Sequence, residues 1–147
     1  MSAEPVRLHR SPSLAQSVPY AYAASATTAG RVVFTAGACP LDADGRTVAV
    51  GDVVGQTEQV MVNLRVALED AGAGLADVLM THVYVASTSR EDLAAAWEVV
   101  RRQLGDHDAP GTLLGVTVLG WPDQLVEVEA VAVVPEDPPA DRSAVSG

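Results

Sequence analysis

QTEQVMVNLRVALEDAGAGLADVLMTHVYV, residues 56–85, changes its hydrophobic period once, and that change decides the fold. In the first half Thr57, Val60, Met61, Leu64, Ala67, Leu68 and Ala71 recur at three- and four-residue spacing, the pattern of an amphipathic helix. The spacing predicts a helix over 54–71. Asp52 is its candidate N-cap, and Gly72 stands where a C-terminal glycine belongs. In the second half the period falls to two, so 77–86 is a strand. Leu79, Thr81, Val83 and Val85 point one way along it; Met80, His82 and Tyr84 point the other.

The rest of the chain repeats these two periods. SRED, residues 89–92, opens a second helix, with Ser89 as candidate cap and Gly105 at its end. Leu93, Trp97, Val100 and Leu104 form its apolar stripe. Residues 112–119 and 124–134 read as strands joined through GWPD, residues 120–123. Towards the N-terminus, Gly30-Arg31 reads as a turn leading into a strand at 32–35. DADG, residues 42–45, reads as a turn between short extended pieces. The order ββ-α-β-α-ββ predicts an α+β domain with two helices on one face of a mixed sheet. The other face needs cover that a chain this short does not have left, and self-association is the economical source. Residues 1–18 and 135–147 lack apolar periodicity and read as a flexible N-terminal segment and a disordered, Pro- and charge-rich tail. The domain proper is then 19–134.

Composition narrows the function. The chain has 147 residues, enough for one domain with a real core, and 48% of them are hydrophobic. The net charge of −10 argues against nucleic acid and anionic membranes as partners, since both repel an acidic surface. There is no lysine. That removes Schiff-base catalysis, a pyridoxal phosphate site and a Walker-type phosphate lysine. Cys39 is the single cysteine, so neither an intrachain disulfide nor a thiolate zinc cluster can form, and no metal site is expected. No apolar run approaches the length of a membrane span, and the first residues lack a signal-peptide core. Cytoplasmic localisation is the expectation.

Four stretches resemble the RidA/YjgF family of reactive intermediate deaminases. FTAGACPLD, residues 34–42, is similar to its "TSGQIPLD" segment. QTEQVMVNLRVALEDAG, residues 56–72, is similar to its first helix. DVLMTHVYV, residues 77–85, is similar to "DVVKTTVYL". VEVEAVAV, residues 126–133, is similar to "IEIEAIAV". They occur in family order at near-family spacing across residues 19–134. The resemblance implies a chorismate-mutase-like fold, a homotrimer with clefts between subunits, and hydrolysis of imines or enamines without a cofactor. It implies an arginine in a "PARS" segment that clamps the substrate carboxylate, and a last-strand glutamate that positions the water. Here Glu127 falls on that glutamate. Gly111 stands at the arginine, Trp97 at a helix asparagine and Ala38 at the glutamine of "SGQ". No arginine lies between Arg102 and Arg142.

Glu127 and Glu129 share one strand face, about 7 Å apart at ~3.4 Å per residue. A carboxylate in a Val/Ala strand is costly unless satisfied, which singles out Glu127 for a site; the competing reading has both facing solvent or a subunit contact. Thr112 matches a family serine and can hydrogen-bond a ligand. Gly111 would let backbone approach a ligand closely, against the reading of an ordinary loop-to-strand turn. Gly37 offers a backbone amide to polar atoms. Cys39 is a candidate thiol at the cleft mouth, weighed against a small buried hydrophobe. His107 is a candidate cation or acid/base, weighed against a solvated loop histidine. Trp97 shapes a cavity or packs the core. Tyr20 matches a family tyrosine, with Tyr22 as a one-step alternative. Trp121 reads as a turn anchor.

Two functions fit these residues. The first is an enzyme acting on an imine, enamine or related reactive small molecule by hydrolysis, tautomerisation or cyclisation, in a catabolic or specialised-metabolite pathway. Glu127 would move the proton and Thr112 would assist. The second is a non-catalytic trimer that binds a metabolite or a protein in the same clefts.

Overall fold

The structure, a computed structural model, describes residues 4–27 and 29–136. Six strands and two helices follow the order β1 (Val6–His9), β2 (Ala23–Ala26), β3 (Gly30–Phe34), α1 (Val53–Asp70), β4 (Val78–Val85), α2 (Arg90–Leu104), β5 (Gly111–Gly115) and β6 (Val126–Pro135). A four-stranded sheet has the order β3-β6-β4-β5. β4 runs parallel to β5 and antiparallel to β6, and β3 is antiparallel to β6. The sheet is therefore mixed. α1 packs on β6 and on α2, and α2 packs on β4 and β5. Among the described residues no helix is long and apolar enough to cross a membrane.

α1 forms as its pattern dictates. The Asp52 carboxylate accepts from the Gly55 amide at 3.0 Å, capping an otherwise unpaired N–H. Gly72 takes φ +84° just beyond the end, a conformation that costs glycine little. Gln56, Thr57, Val60, Met61, Leu64 and Leu68 form the buried face. Val60, Met61, Leu64 and Leu68 meet Val126, Val128, Ala130 and Ala132 of β6 and Val83 and Val85 of β4 in one core. A bulge between Val78 and Met80 slips the strand, so Val78 is buried where alternation points Leu79 inward.

The structure corrects several expectations. The reading of 1–18 as loose fails at β1, which pairs with β2 from Val6↔Ala26 to His9↔Ala23 and buries Val6. Arg10 then ties the following loop down, bonding the Tyr20 carbonyl at 2.9 Å and the Asp108 carboxylate. These partners are distant in sequence, so no local pattern announces them. Gly30-Arg31 lies inside β3 and is no turn. The strand expected at 112–119 shortens to β5, because pairing with β4 stops at Val85↔Gly115. Ser89 occupies the N-cap position of α2 without a side-chain cap. The Ser87 hydroxyl instead accepts from the Ser89 amide and donates to Asp92. Ala96, Val99, Val100 and Leu104 are the buried residues of α2, whereas Leu93 and Trp97 pack from its margin. The tail beyond Glu136 lies outside the described residues.

The sheet face away from the helices is open within the chain. Val32, Phe34 and Leu114 are 51%, 76% and 41% exposed on it, an apolar rim that water does not favour.

Candidate active site

Glu127 projects from β6 onto the open face, opposite Tyr84 of β4. Its side chain lies across Gly37, where a Cβ would come within 2.5 Å of the Glu127 Cδ. Glycine at 37 leaves open the space that the carboxylate occupies here. The backbone here is fixed by a bridge between Ala38 and Val128, with Ala38 N–H donating to Val128 O at 2.7 Å. Asn63 of α1 anchors the next turn by donating to the carbonyls of Cys39 and Leu41 at 2.8 and 2.9 Å.

The Cys39 thiol donates to Glu127 Oε1 at 3.1 Å, and the Gln124 amide reaches the same oxygen at 3.5 Å. Burial, then the hydrogen bond and charge of Glu127, lift the Cys39 thiol from 9.0 to about 11; Gln124 and the Trp121 indole pull weakly the other way. The thiol is thus a neutral donor at pH 7, and a thiolate nucleophile is disfavoured. Iodoacetamide at pH 8 should therefore alkylate Cys39 roughly 100-fold more slowly than an unperturbed cysteine. Glu127→Gln, which removes the charge, should speed alkylation. A parent rate matching a free thiol, by mass spectrometry, would show the contact to be absent in solution. Because the folded pKa lies above the unfolded one, this thiol's contribution to stability is full below pH 9. It is lost as pH rises through about 11.

Sequence reasoning missed two partners here. Gln124 is buried just ahead of β6. Trp121, read as a turn anchor, is half exposed with its indole close enough to act on the Cys39 sulfur. Their turn is clamped to α1 by buried Gln56, which donates to Asp123 O at 2.9 Å and accepts from Leu125 N at 2.7 Å. No signal in the sequence marks either partner, since the burial of Gln56 and Gln124 exists only in the folded chain.

A second polar group adjoins the first. Tyr84 donates to Glu129 Oε1 at 2.7 Å, which raises the phenol pKa chiefly through that hydrogen bond. His82 Nδ1 lies 3.4 Å from the same oxygen, and its ring stacks on Tyr84. Thr112 is exposed opposite His82 on β5. That places it two strands and one residue pair from Glu127, roughly 12 Å at ~4.8 Å per strand. The two residues expected to act together are not in contact within one chain.

The remaining candidates lie elsewhere. A Cβ on Gly111 would meet Thr81 Oγ1 at 2.6 Å and Trp97 at 3.4 Å, on the helix side of the sheet. Thr81 Oγ1 is itself buried without a hydrogen-bond partner. The glycine leaves room for this packing. Trp97 meets Tyr20 edge-on at 6.3 Å, and Tyr20 meets Tyr22 at 5.9 Å. His107 is half-buried with Nε2 2.7 Å from the Val78 carbonyl, which corrects its reading as a solvated loop residue. Val78 starts β4 and Tyr84 nearly ends it, so His107 and Glu127 are separated by roughly 20 Å at ~3.3 Å per residue. Among the described residues of the four sheet strands Arg31 is the one arginine, and it donates to the Ala71 carbonyl at the end of α1. No three His, Cys, Asp or Glu side chains among the described residues are grouped to hold a metal.

Comparison with known proteins adds to this geometry. A family model described as Endoribonuclease L-PSP matches residues 13–134. A RutC family protein of Pyrococcus abyssi is 34% identical over 70% of this chain and 79% of its own. The 3-aminoacrylate deaminase RutC of Acinetobacter baylyi is 32% identical over 84% of this chain and 90% of its own. The crystal structure of the Rid family protein YyfB from Yersinia pestis, of unknown function, superposes with a TM-score of 0.80. It is 32% identical and covers 88% of this chain and 99% of that one. By sequence and by fold alike, this chain belongs to the RidA/YjgF family of reactive intermediate deaminases, the family whose model is described as Endoribonuclease L-PSP.

Proposed function

We propose that this protein is a cytoplasmic homotrimer that hydrolyses an imine, enamine or related reactive small molecule at Glu127, releasing ammonia and needing no cofactor. One observation carries the reading. The Glu127 carboxylate lies over Gly37 with Oε1 held by Cys39 and Gln124, and among the described residues no hydrogen bond reaches Oε2. A carboxylate oriented through one oxygen can take a proton from water with the other. Water then adds to the imine carbon, the proton passes to nitrogen, and the C–N bond of the carbinolamine breaks to give a carbonyl compound and ammonia. The same proton transfers serve tautomerisation or cyclisation. Family membership and the name of the Acinetobacter relative support deamination. The test is ammonia release from imines generated in situ, with parent and Glu127→Gln protein side by side. Ligand binding without any turnover would support a metabolite- or protein-binding module instead.

The trimer closes the open face. Phe34, Val32 and Leu114 are the apolar groups it would cover, and the residues that one chain keeps apart would meet across subunits. Sedimentation at micromolar concentration should find three subunits of 15.2 kDa. A stable monomer would remove both the assembly and the intersubunit cleft.

A further inference from the structure

We propose that the Glu127 site takes a protonated imine carrying an aromatic or apolar group and no carboxylate. This rests on the reading of Glu127 as the acid–base residue and names the substrate class. The fixed charge on the open face is negative. His82, 3.4 Å from Glu129, is the one side chain of the four strands on that face that can carry a positive charge, and it lies against Glu129 rather than Glu127. Glu127 and Glu129 stand two residues apart on the same face of β6, with Tyr84 bonded to Glu129. The single arginine of the four strands is tied to the end of α1. Arg46 is exposed on the 42–46 turn, whose neighbour Thr47 touches Pro122, and no hydrogen bond or ion pair joins its guanidinium to Glu127 or Cys39 among the described residues.

A carboxylate brought to this place meets two like charges; an iminium meets two opposite ones, one of them poised to activate its water. The apolar neighbours define the rest of the molecule. Tyr84 lies directly opposite Glu127 in the same cross-strand row. Trp121, half exposed, is bonded through its amide to Gln124, whose own amide reaches the carboxylate. Aromatic faces attract cations and stack on rings, and they give no preference to an anion. The reaction joins the iminium and one water to give the aldehyde or ketone and an ammonium ion. The C=N bond breaks, the water oxygen becomes the carbonyl oxygen, and both water protons end on nitrogen, with no oxidant or reductant.

A matched pair of imines tests the class. An amine oxidase makes the imine of 2-phenylethylamine, and an L-amino-acid oxidase makes the imino acid of phenylalanine; the two differ by one carboxylate. Ammonia release above the spontaneous rate should favour the carboxylate-free imine by about tenfold or more in kcat/KM. Trp121→Ala should raise KM for that imine more than it lowers kcat. Equal or greater acceleration of the imino acid, abolished by Glu127→Gln, would overturn the substrate class and leave imine hydrolysis at Glu127 standing. Loss of that imino-acid activity in Arg46→Ala would then identify the clamp. Acceleration of neither imine would sink the acid–base reading and this proposal with it. Calorimetric titration provides a readout independent of turnover. Phenylethylammonium should bind about tenfold or more tightly than phenylacetate, and the reverse order would overturn the proposal.

Discussion

Replacing Glu127 with glutamine is expected to remove about 10²–10⁴ of the catalysed rate, the usual worth of a positioned general base, while the assembly stays intact. Glutamine keeps the length of the side chain and one acceptor oxygen but takes no proton at neutral pH. Its amide still fits over Gly37, so the fold should survive. The Cys39 thiol keeps an acceptor if the amide oxygen turns towards it. Glu129→Gln is the control on the same strand face. Glu129 accepts from Tyr84 and faces His82, so its loss should disturb that cluster and cost far less rate. Full turnover in both variants would mean that Glu127 is not the base. Cys39 and His107 would then be tested next, with Cys39 handicapped by its neutral thiol and His107 by its distance.

Hydrolysis of the imino acid derived from 2-aminoacrylate should be weak or absent. A buried arginine–carboxylate contact is bidentate and charge-assisted. Doing without it should cost on the order of 2–5 kcal/mol, roughly 30- to 5,000-fold in kcat/KM. The assay generates the imine from serine with a dehydratase and follows ammonia, against a family member that carries the arginine. Gly111→Arg should not restore activity. On this backbone a side chain at 111 runs into Thr81 and Trp97, so the variant should lose stability before it gains a clamp. Turnover equal to that of the arginine-bearing relative would show that a cation reaches the site from a neighbouring subunit.

Both expectations lean on residues whose type was legible in the sequence but whose neighbours were not. Helix α1 and strand β4 follow from periodicity alone, because burying one face against a core imposes periods of 3.6 and 2 on the chain itself. The same alternation along β6 separates Glu127 and Glu129 from the valines and alanines that meet α1. The asparagine at 63 and the glutamines at 56 and 124 carry no such mark. The amides of Gln56 and Asn63 are satisfied by backbone groups 22 to 69 residues away, which no local window contains. Gln124 closes its own turn on Trp121 N and Val126 O, and only its reach to Glu127 depends on the direction of the strand.

The sequence by itself determined the α+β order, the helix caps at Asp52 and Gly72, the family and the strand face on which Glu127 stands, since each is written in local pattern or motif order. The tertiary structure alone decided that Gly37 makes room for the Glu127 carboxylate, that Cys39 is its donor, and that Gln124 reaches the same oxygen. It also decided that Gly111 serves Thr81 and Trp97, and that the first strand is held in place. The reason is physical: these contacts depend on which strands become neighbours and on the direction each side chain leaves the sheet. Those are properties of the packed chain as a whole.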